Sequence, residues 1–467
     1  MSEIITGLPE QAKIVVIGGG GAGLTAALTA AEAGTINIVL LEKRGSVGGT
    51  SALAGGIFAC ESPVQARQHI VADRDDLFRR AMDWAHWRQV DPRIVRVFIN
   101  RSGDTIRWLE NKGIEFQIIR FYPDQVPLVQ HNVTGTGAQL TKTLTREARQ
   151  RGVTILTKAA VTTILRDDSG YVIGVRVKRH GVTMDIRSSA VIVSTGGFAG
   201  NPELLQRLCP SYNSDLVLSG LPLTGDGFLM AEKAGAAVAN FVTVLKEGPR
   251  LDPHQWPLHH FERDPLALWV NLNGERFVDE TLGYHVFESV NALLAQPKGI
   301  SFALFDDSFR DIFRITMPDI DVALEGEVKK GRVFKTHSWP EMAGAMGCES
   351  VTLEATVDRY NTLCDRGYDE DFSKEYRYLR PLTVPPFFAI KGISTILDTI
   401  GGIIINDRME VLDINNRPIP GLFAAGTVTS GWESEVYCSD LSASAFGFAV
   451  NSGRIAGENA AHFTSGN

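Results

Sequence analysis

The sequence predicts an α/β fold: a parallel sheet wound by helices, built from two separated stretches of chain, with an α+β domain inserted between them. Three observations lead there. An apolar β-branched run, a glycine turn and an alanine-rich helix succeed one another over residues 13–34, and a second apolar run follows at once. The same succession returns near the end, in "GLFAAGTVTSG" and "SASAFGFAVNSGRIAGENAA". Between about residues 244 and 374 this regularity fades and aromatic, proline and charged residues take over. The length of 467 residues suits two or three domains. We therefore expect a first domain over 1–243, an insertion over 244–374, and a return to the first domain over 375–467.

The elements follow in order. "KIVVI" is a strand, "GGGGAG" a turn, and the helix runs on to Gly34. "INIVLLE" is the second strand of a βαβ unit, which implies parallel pairing. Residues 73–114 and 138–151 read as helices, and "VTILTKAAVTTILRD" and "YVIGVRVKRHG" as strands about the turn "DDSG". "SSAVIVSTGGF" is a strand entering a glycine turn.

Composition narrows the function. A net charge of −8 argues against a nucleic-acid partner, which needs a basic stripe. No apolar run reaches the roughly 20 residues of a membrane helix. The opening "MSEIITGLPEQAK" lacks the basic and apolar parts of a signal peptide, so a cytoplasmic enzyme is expected. The five cysteines are scattered and form no C-x-x-C, which fits a reducing compartment and offers no metal framework. No metal site is expected.

Gly18, Gly20 and Gly23 satisfy G-x-G-x-x-G, and the motif lies between a strand and a helix, where it carries meaning. Gly18 allows the turn, Gly20 lets the backbone approach a pyrophosphate, and Gly23 lets helix and strand pack closely. Phosphates would sit at the helix N-terminus. Glu42 ends the second strand, where a carboxylate accepts ribose hydroxyls. The second glycine-rich stretch, "KRGSVGGTSALAGGIF", favours FAD over NAD, because a long ribityl chain can run along such a backbone.

With these residues in view, the sequence resembles the flavoproteins of the fumarate reductase and 3-ketosteroid dehydrogenase superfamily, nearer the ketosteroid branch. The resemblance is carried by "GGGGAG", "LLEK", "GGTSALAGG", "VIVSTGGFAGN", "TGDGFLMAEKAGA", "NGERFVDE", "TVDRYN", "PPFFAI" and "GLFAAGTVTSG", in family order over nearly the whole chain. It implies a discontinuous Rossmann-like FAD-binding domain with an inserted cap, and FAD held non-covalently, since the "GGTSALAGG" loop has no histidine. By this resemblance Gly20, Gly21, Ala22 and Gly23 hold the pyrophosphate, and Glu42 with Lys43 the adenosine ribose. Thr50, Ser51, Gly55 and Gly56 would line the ribityl and isoalloxazine, with Gly196 nearby. Val161 would meet the adenine and Asp226 would support the cofactor. Gly426, Leu441, Ser442 and Ser444 would close over the pyrimidine edge. Thr427 stands where the family often has glutamate, a departure at one ribityl contact.

Members of this superfamily make or reduce a C–C double bond beside an activating carbonyl. Where fumarate reductases carry a proton-donating arginine after "RFV-N/D-E", this chain has Tyr284, as ketosteroid dehydrogenases do. Asp398 and Asp440 replace the histidine and arginine that bind dicarboxylates, which disfavours fumarate. The resemblance points to Tyr284 as the proton-handling residue, to Tyr437 and the Leu441 N–H as donors to a carbonyl, and to Tyr122 as a neighbour. Arg263, His259 and His260 read first as solvated surface, with the entrance to the cap as the alternative. The implied activity is desaturation of a cyclic ketone, for example 4-oxocyclohexanecarboxylate or a 3-ketosteroid. Two alternatives stand beside it: an enone or enoate reductase running the other way, and an electron-transferring flavin subunit. Direction depends on the electron partner.

Overall fold

In a computed structural model of the chain, the described residues are 7–210, 212–239, 242–254, 258 and 261–466. They form two compact units. The first comprises Met1–Tyr212, Leu221–Val244 and Asp398–Asn467, and the second Asn213–Gly220 and Leu245–Leu397.

The first unit is organised by a sheet whose strands lie in the order Glu410–Leu412, Pro418–Ala424, Val182–Val193, Gln11–Ile17, Ile38–Leu41 and Thr154–Leu156. The last five pair parallel. Continuous β-branched runs explain the centre: Ile14, Val15 and Val16 are wholly buried, because helices cover parallel sheets on both faces. Antiparallel strands Ala159–Arg166 and Val172–Arg179 extend the sheet from Val182–Val193. That last strand starts six residues before "SSAVIV", because its first half forms a hairpin with Val172–Arg179. The C-terminal helix Ser444–Ser465 lies against the helix Gly21–Glu32. The small-residue pattern read from the sequence accounts for this contact. A Cβ at Gly453 or Gly457 would strike the carbonyl oxygens of Ala22 and Ala26, so the two backbones touch.

The second unit is built on a mixed sheet in which Phe387–Ile400 is the hub. It pairs with Val217–Leu218, Ile300–Phe305 and Val333–Thr336, and Ile300–Phe305 pairs with Leu268–Asn271. The sequence reading placed the return to the first domain at residue 375. The structure differs: strand pairing keeps 375–397, and also 213–220, with the second unit. A single hydrophobic run cannot announce which sheet it will join. Phe305 stacked on Phe388, and Trp269 beside Phe277, fill the core on one side of this sheet.

Candidate active site

The glycine turn of the first unit has the geometry its motif requires. Gly18 has φ +103, and its N–H donates to Leu41 O over 2.8 Å. A Cβ at Gly23 would overlap the Gly18 carbonyl oxygen, so strand and helix close up here. A Cβ at Gly20, by contrast, would meet nothing within 4 Å, leaving open backbone at the start of the helix Gly21–Glu32. The N-cap residue, Gly20, has no side chain to cap that helix, whose N-terminal dipole favours an anion. Gly21 N–H donates to Ser51 Oγ at 3.0 Å, tying the first glycine loop to the second. Ala22 lies beside Gly426, whose Cβ would stand 3.0 Å from it.

Glu42 is 8% exposed and aims back at the turn: its Oε2 accepts Gly19 N–H at 2.8 Å and its Oε1 accepts Arg44 N–H at 2.7 Å. Its carbonyl accepts Ala159 N–H, which brings the start of the strand carrying Val161 alongside. Lys43 turns the other way, to Asp226 Oδ2 at 2.7 Å and Thr224 Oγ1 at 2.6 Å. Burial pushes the Asp226 carboxyl up, but hydrogen bonds from Lys43 and Thr224 outweigh it and hold it below the usual range. Lys43 and Asp226 thus engage each other.

Thr50 and Ser51 open the short 3-10 turn Thr50–Leu53. Thr50 Oγ1 is buried and has no hydrogen-bond partner among the described residues. A buried hydroxyl without a partner is costly, and a ribityl chain would supply one. Gly55 O accepts Val133 N–H at 3.0 Å, and a Cβ at Gly56 would meet Asn132 Oδ1 at 2.5 Å, so this loop lies flat on the strand Gln130–Val133. The open backbone at Gly20 and the partnerless Thr50 hydroxyl fit FAD.

Two further loops, after Val193 and after Ala424, leave adjacent parallel strands at their carboxyl ends, where doubly wound sheets bind ligands. They carry Gly196 and Gly426. Gly426 N–H donates to Ser452 Oγ at 2.9 Å. Asp398 lies behind both loops, 4% exposed, with Oδ2 accepting from Thr427 Oγ1 at 2.9 Å and Oδ1 from Thr399 N–H at 2.8 Å. The sequence reading put Asp398 in a substrate-binding slot. The structure turns it into the protein interior, where the Thr399 amide and the Thr427 hydroxyl donate to it.

The segment before the C-terminal helix is laced to the loop at residues 120–127. Tyr122 donates to Asp440 Oδ1 at 2.6 Å, and Gln125 Nε2 donates to Ser442 Oγ at 2.9 Å. Tyr437 is buried, and its hydroxyl oxygen accepts Ala445 N–H at 2.7 Å. Ser444 Oγ donates to Glu433 Oε2 at 3.4 Å. Glu433 is pushed up to about 7 by burial, against hydrogen bonds from Ser434, Cys438 and Ser444. The Leu441 N–H goes to Cys438 O at 3.1 Å. Tyr122, Tyr437, Leu441, Ser442 and Ser444 therefore share one neighbourhood, with Glu433 and Gln125 as members the sequence did not reveal.

In the second unit, Tyr284 ends the 3-10 helix Glu280–Tyr284. Asp279 caps this turn by accepting Thr281 N–H at 2.9 Å. Glu280 anchors it: the fully buried carboxylate takes Arg276 Nε at 2.9 Å, Lys374 Nζ at 3.0 Å and Trp269 N–H at 3.2 Å. Arg276 also pairs with Asp369 at 2.8 Å. A Cβ at Gly283 would strike the Arg263 carbonyl, so only glycine lets the turn pack there. The Tyr284 ring meets that of Tyr378 edge-on, with centroids 6.0 Å apart. Burial first, then Tyr378 and the Asp264 charge, push the Tyr284 phenol well above the usual tyrosine value. His259 and His260 lie outside the described residues.

The fold and this loop cluster define a dinucleotide-binding flavoprotein. The chain belongs to the FAD binding domain family, which matches residues 13–434. It is 30% identical to a vinyl phenol reductase of Lactiplantibacillus plantarum over 97% of both chains. It is 26% identical to a 4-oxocyclohexanecarboxylate 2-dehydrogenase of Sinomonas cyclohexanicum, over 91% of this chain and 89% of the relative. The open conformation of a flavocytochrome c3 fumarate reductase superposes with a TM-score of 0.79 at 27% identity, over 99% of this chain and 80% of that one. The protein is an FAD-dependent oxidoreductase acting on CH–CH groups. Among the described residues, no helix is long and apolar enough to cross a membrane.

Proposed function

We propose that this protein reduces an activated C=C bond, with Tyr284 as the proton donor. The observation that carries the reading is the state of that phenol. It is half-buried and packed edge-on against Tyr378, and burial makes it hold its proton more tightly than an ordinary tyrosine. A phenol so held keeps its proton at neutral pH and acts as an acid. To act as a base it would need its pKa brought down toward neutrality.

FAD, when bound, supplies the hydride to one alkene carbon. Tyr284 gives its hydroxyl proton to the other carbon, and its phenolate is then reprotonated from solvent. The buried Glu280–Arg276–Lys374 network fixes the turn that carries it. The substrate we favour is a neutral alkene conjugated with a carbonyl or a phenol ring. Asp440, where dicarboxylate reductases have arginine, supports a neutral substrate, and so does the likeness to a vinyl phenol reductase.

A second reading, desaturation of a cyclic ketone such as 4-oxocyclohexanecarboxylate or a 3-ketosteroid, is favoured by the tyrosine at position 284 and the likeness to a dehydrogenase. There Tyr284 would remove the α-proton while Tyr437 and the Leu441 N–H polarise the ketone. It weighs less, because that N–H is spent on Cys438 O.

Anaerobic mixing separates the two. Dithionite-reduced protein should regain its flavin absorbance on addition of 4-vinylphenol or an enone. Bleaching of the oxidised protein by a saturated ketone, with no reoxidation by any alkene, would replace the first reading with the second.

A further inference from the structure

We propose that Thr427 and Asp398 act as one cofactor-holding pair, in which the Thr427 hydroxyl oxygen accepts a hydrogen bond from a ribityl hydroxyl of FAD while Asp398, behind it, takes the Thr427 proton. The Thr427 hydroxyl donates to Asp398 Oδ2 at 2.9 Å. A hydroxyl has one proton, so this leaves Thr427 Oγ1 only as an acceptor. An acceptor selects a donor, and the ribityl chain is the part of FAD rich in hydroxyl donors.

Position supports this. In the run from Leu422 to Thr429, Thr427 alone is not buried. Its Oγ1 lies 3.9 Å from where a Gly196 Cβ would stand. The residue before it, Gly426, packs on Ala22 in the first turn of the glycine-loop helix. Thr427 thus borders three of the loops that the cofactor must thread.

Asp398 explains why a threonine suffices. It is almost fully buried, accepts from the Thr399 N–H and the Thr427 hydroxyl, and has no ion-pair partner among the described residues. Burial pushes its carboxyl up to about 6, so near neutral pH it is ionised. A hydroxyl backed by a buried carboxylate is a stronger acceptor than one backed by water, because charge and low dielectric polarise the chain of bonds.

The test is FAD affinity of the stripped protein, read by quenching of flavin fluorescence, with the melting temperature of each apoprotein alongside. Thr427→Val should weaken binding at least about tenfold, and Thr427→Ser should stay within about threefold of the parent. Asp398→Asn should also weaken binding, and the double variant should be no weaker than Thr427→Val alone, since the two act in series. Thr427→Val binding within about twofold of the parent would overturn the proposal, as would additive losses in the double variant. So would equal losses in Thr427→Ser and Thr427→Val with a matching fall in apoprotein melting, which would mark a packing role. If Asp398→Asn does not fold, the Val and Ser variants decide alone.

Discussion

Tyr122 donates its hydroxyl to Asp440 Oδ1 over 2.6 Å, and Arg80 Nη1 stands 3.6 Å from the other carboxylate oxygen. By the resemblance of the sequence, this carboxylate stands where dicarboxylate reductases carry a cation, and the tyrosine and arginine hold it in place. A dianionic substrate arriving there would face like charge, at a cost of several kcal/mol. Fumarate should therefore reoxidise the dithionite-reduced flavin at least about 100-fold more slowly than 4-vinylphenol does. Comparable stopped-flow rates would refute the role given to Asp440.

Tyr284→Phe removes one oxygen and leaves the ring against Tyr378. FAD content should be unchanged while turnover drops by at least about 100-fold, the usual worth of a proton-transfer group. Flavin absorbance and steady-state rates measure the two effects separately. Near-parent turnover would take the proton-donor role away from Tyr284.

Glu42 uses both oxygens to hold the glycine turn, at Gly19 and Arg44. Glu42→Ala should weaken FAD retention at least about tenfold, since charge-assisted hydrogen bonds are lost and the loop loosens. Ultrafiltration of the diluted holoprotein reads the loss. Retention equal to the parent's would contradict the assignment of Glu42 to the dinucleotide site.

Lys374 is wholly buried, bonded to Glu280 at 3.0 Å and to Tyr360 Oη at 2.9 Å. Lys374→Met strips one cation from a cluster that keeps Glu280 and Asp369. Breaking a buried ion pair from one side costs about 3–5 kcal/mol. Urea unfolding of the variant should show a loss of that order, whereas a change below about 1 kcal/mol would show that Arg276 alone balances both acids.

Burial pushes the Glu262 carboxyl up to about 8 and that of Glu433 up to about 7. In the unfolded chain a glutamate loses its proton near pH 4.3, roughly. Between that value and the raised one the folded state binds more protons, so stability falls as pH rises through this window. The melting temperature should be higher at about pH 5 than at about pH 8, and Glu262→Gln should flatten the upper part of the slope. Below about pH 4 the trend reverses, because Asp226 and Asp369, held low beside Lys43 and Arg276, lose those partners.

Much of the cofactor site was legible before any coordinates. Glycine spacing, an acid at the end of the second strand and a second glycine loop each state a local backbone requirement, and local requirements are written in consecutive residues. Gly18 and Gly23 have the conformation and the close contact their motif demands. The relation of Thr427 to Asp398 was not legible, because it joins residues 29 apart through a sheet edge. Asp398 in particular looked like a substitution at a binding slot and lies instead buried against the Thr399 amide and the Thr427 hydroxyl.

The sequence by itself determined the order of elements, the parallel sheet and the dinucleotide turn, because hydrophobic period and glycine placement act over a few neighbouring residues. Only the tertiary structure decided which sheet claims Phe387–Ile400, what satisfies the buried acids and how far Tyr284 is buried against Tyr378. Those outcomes depend on burial and on partners distant in the chain, and burial is a property of the packed whole.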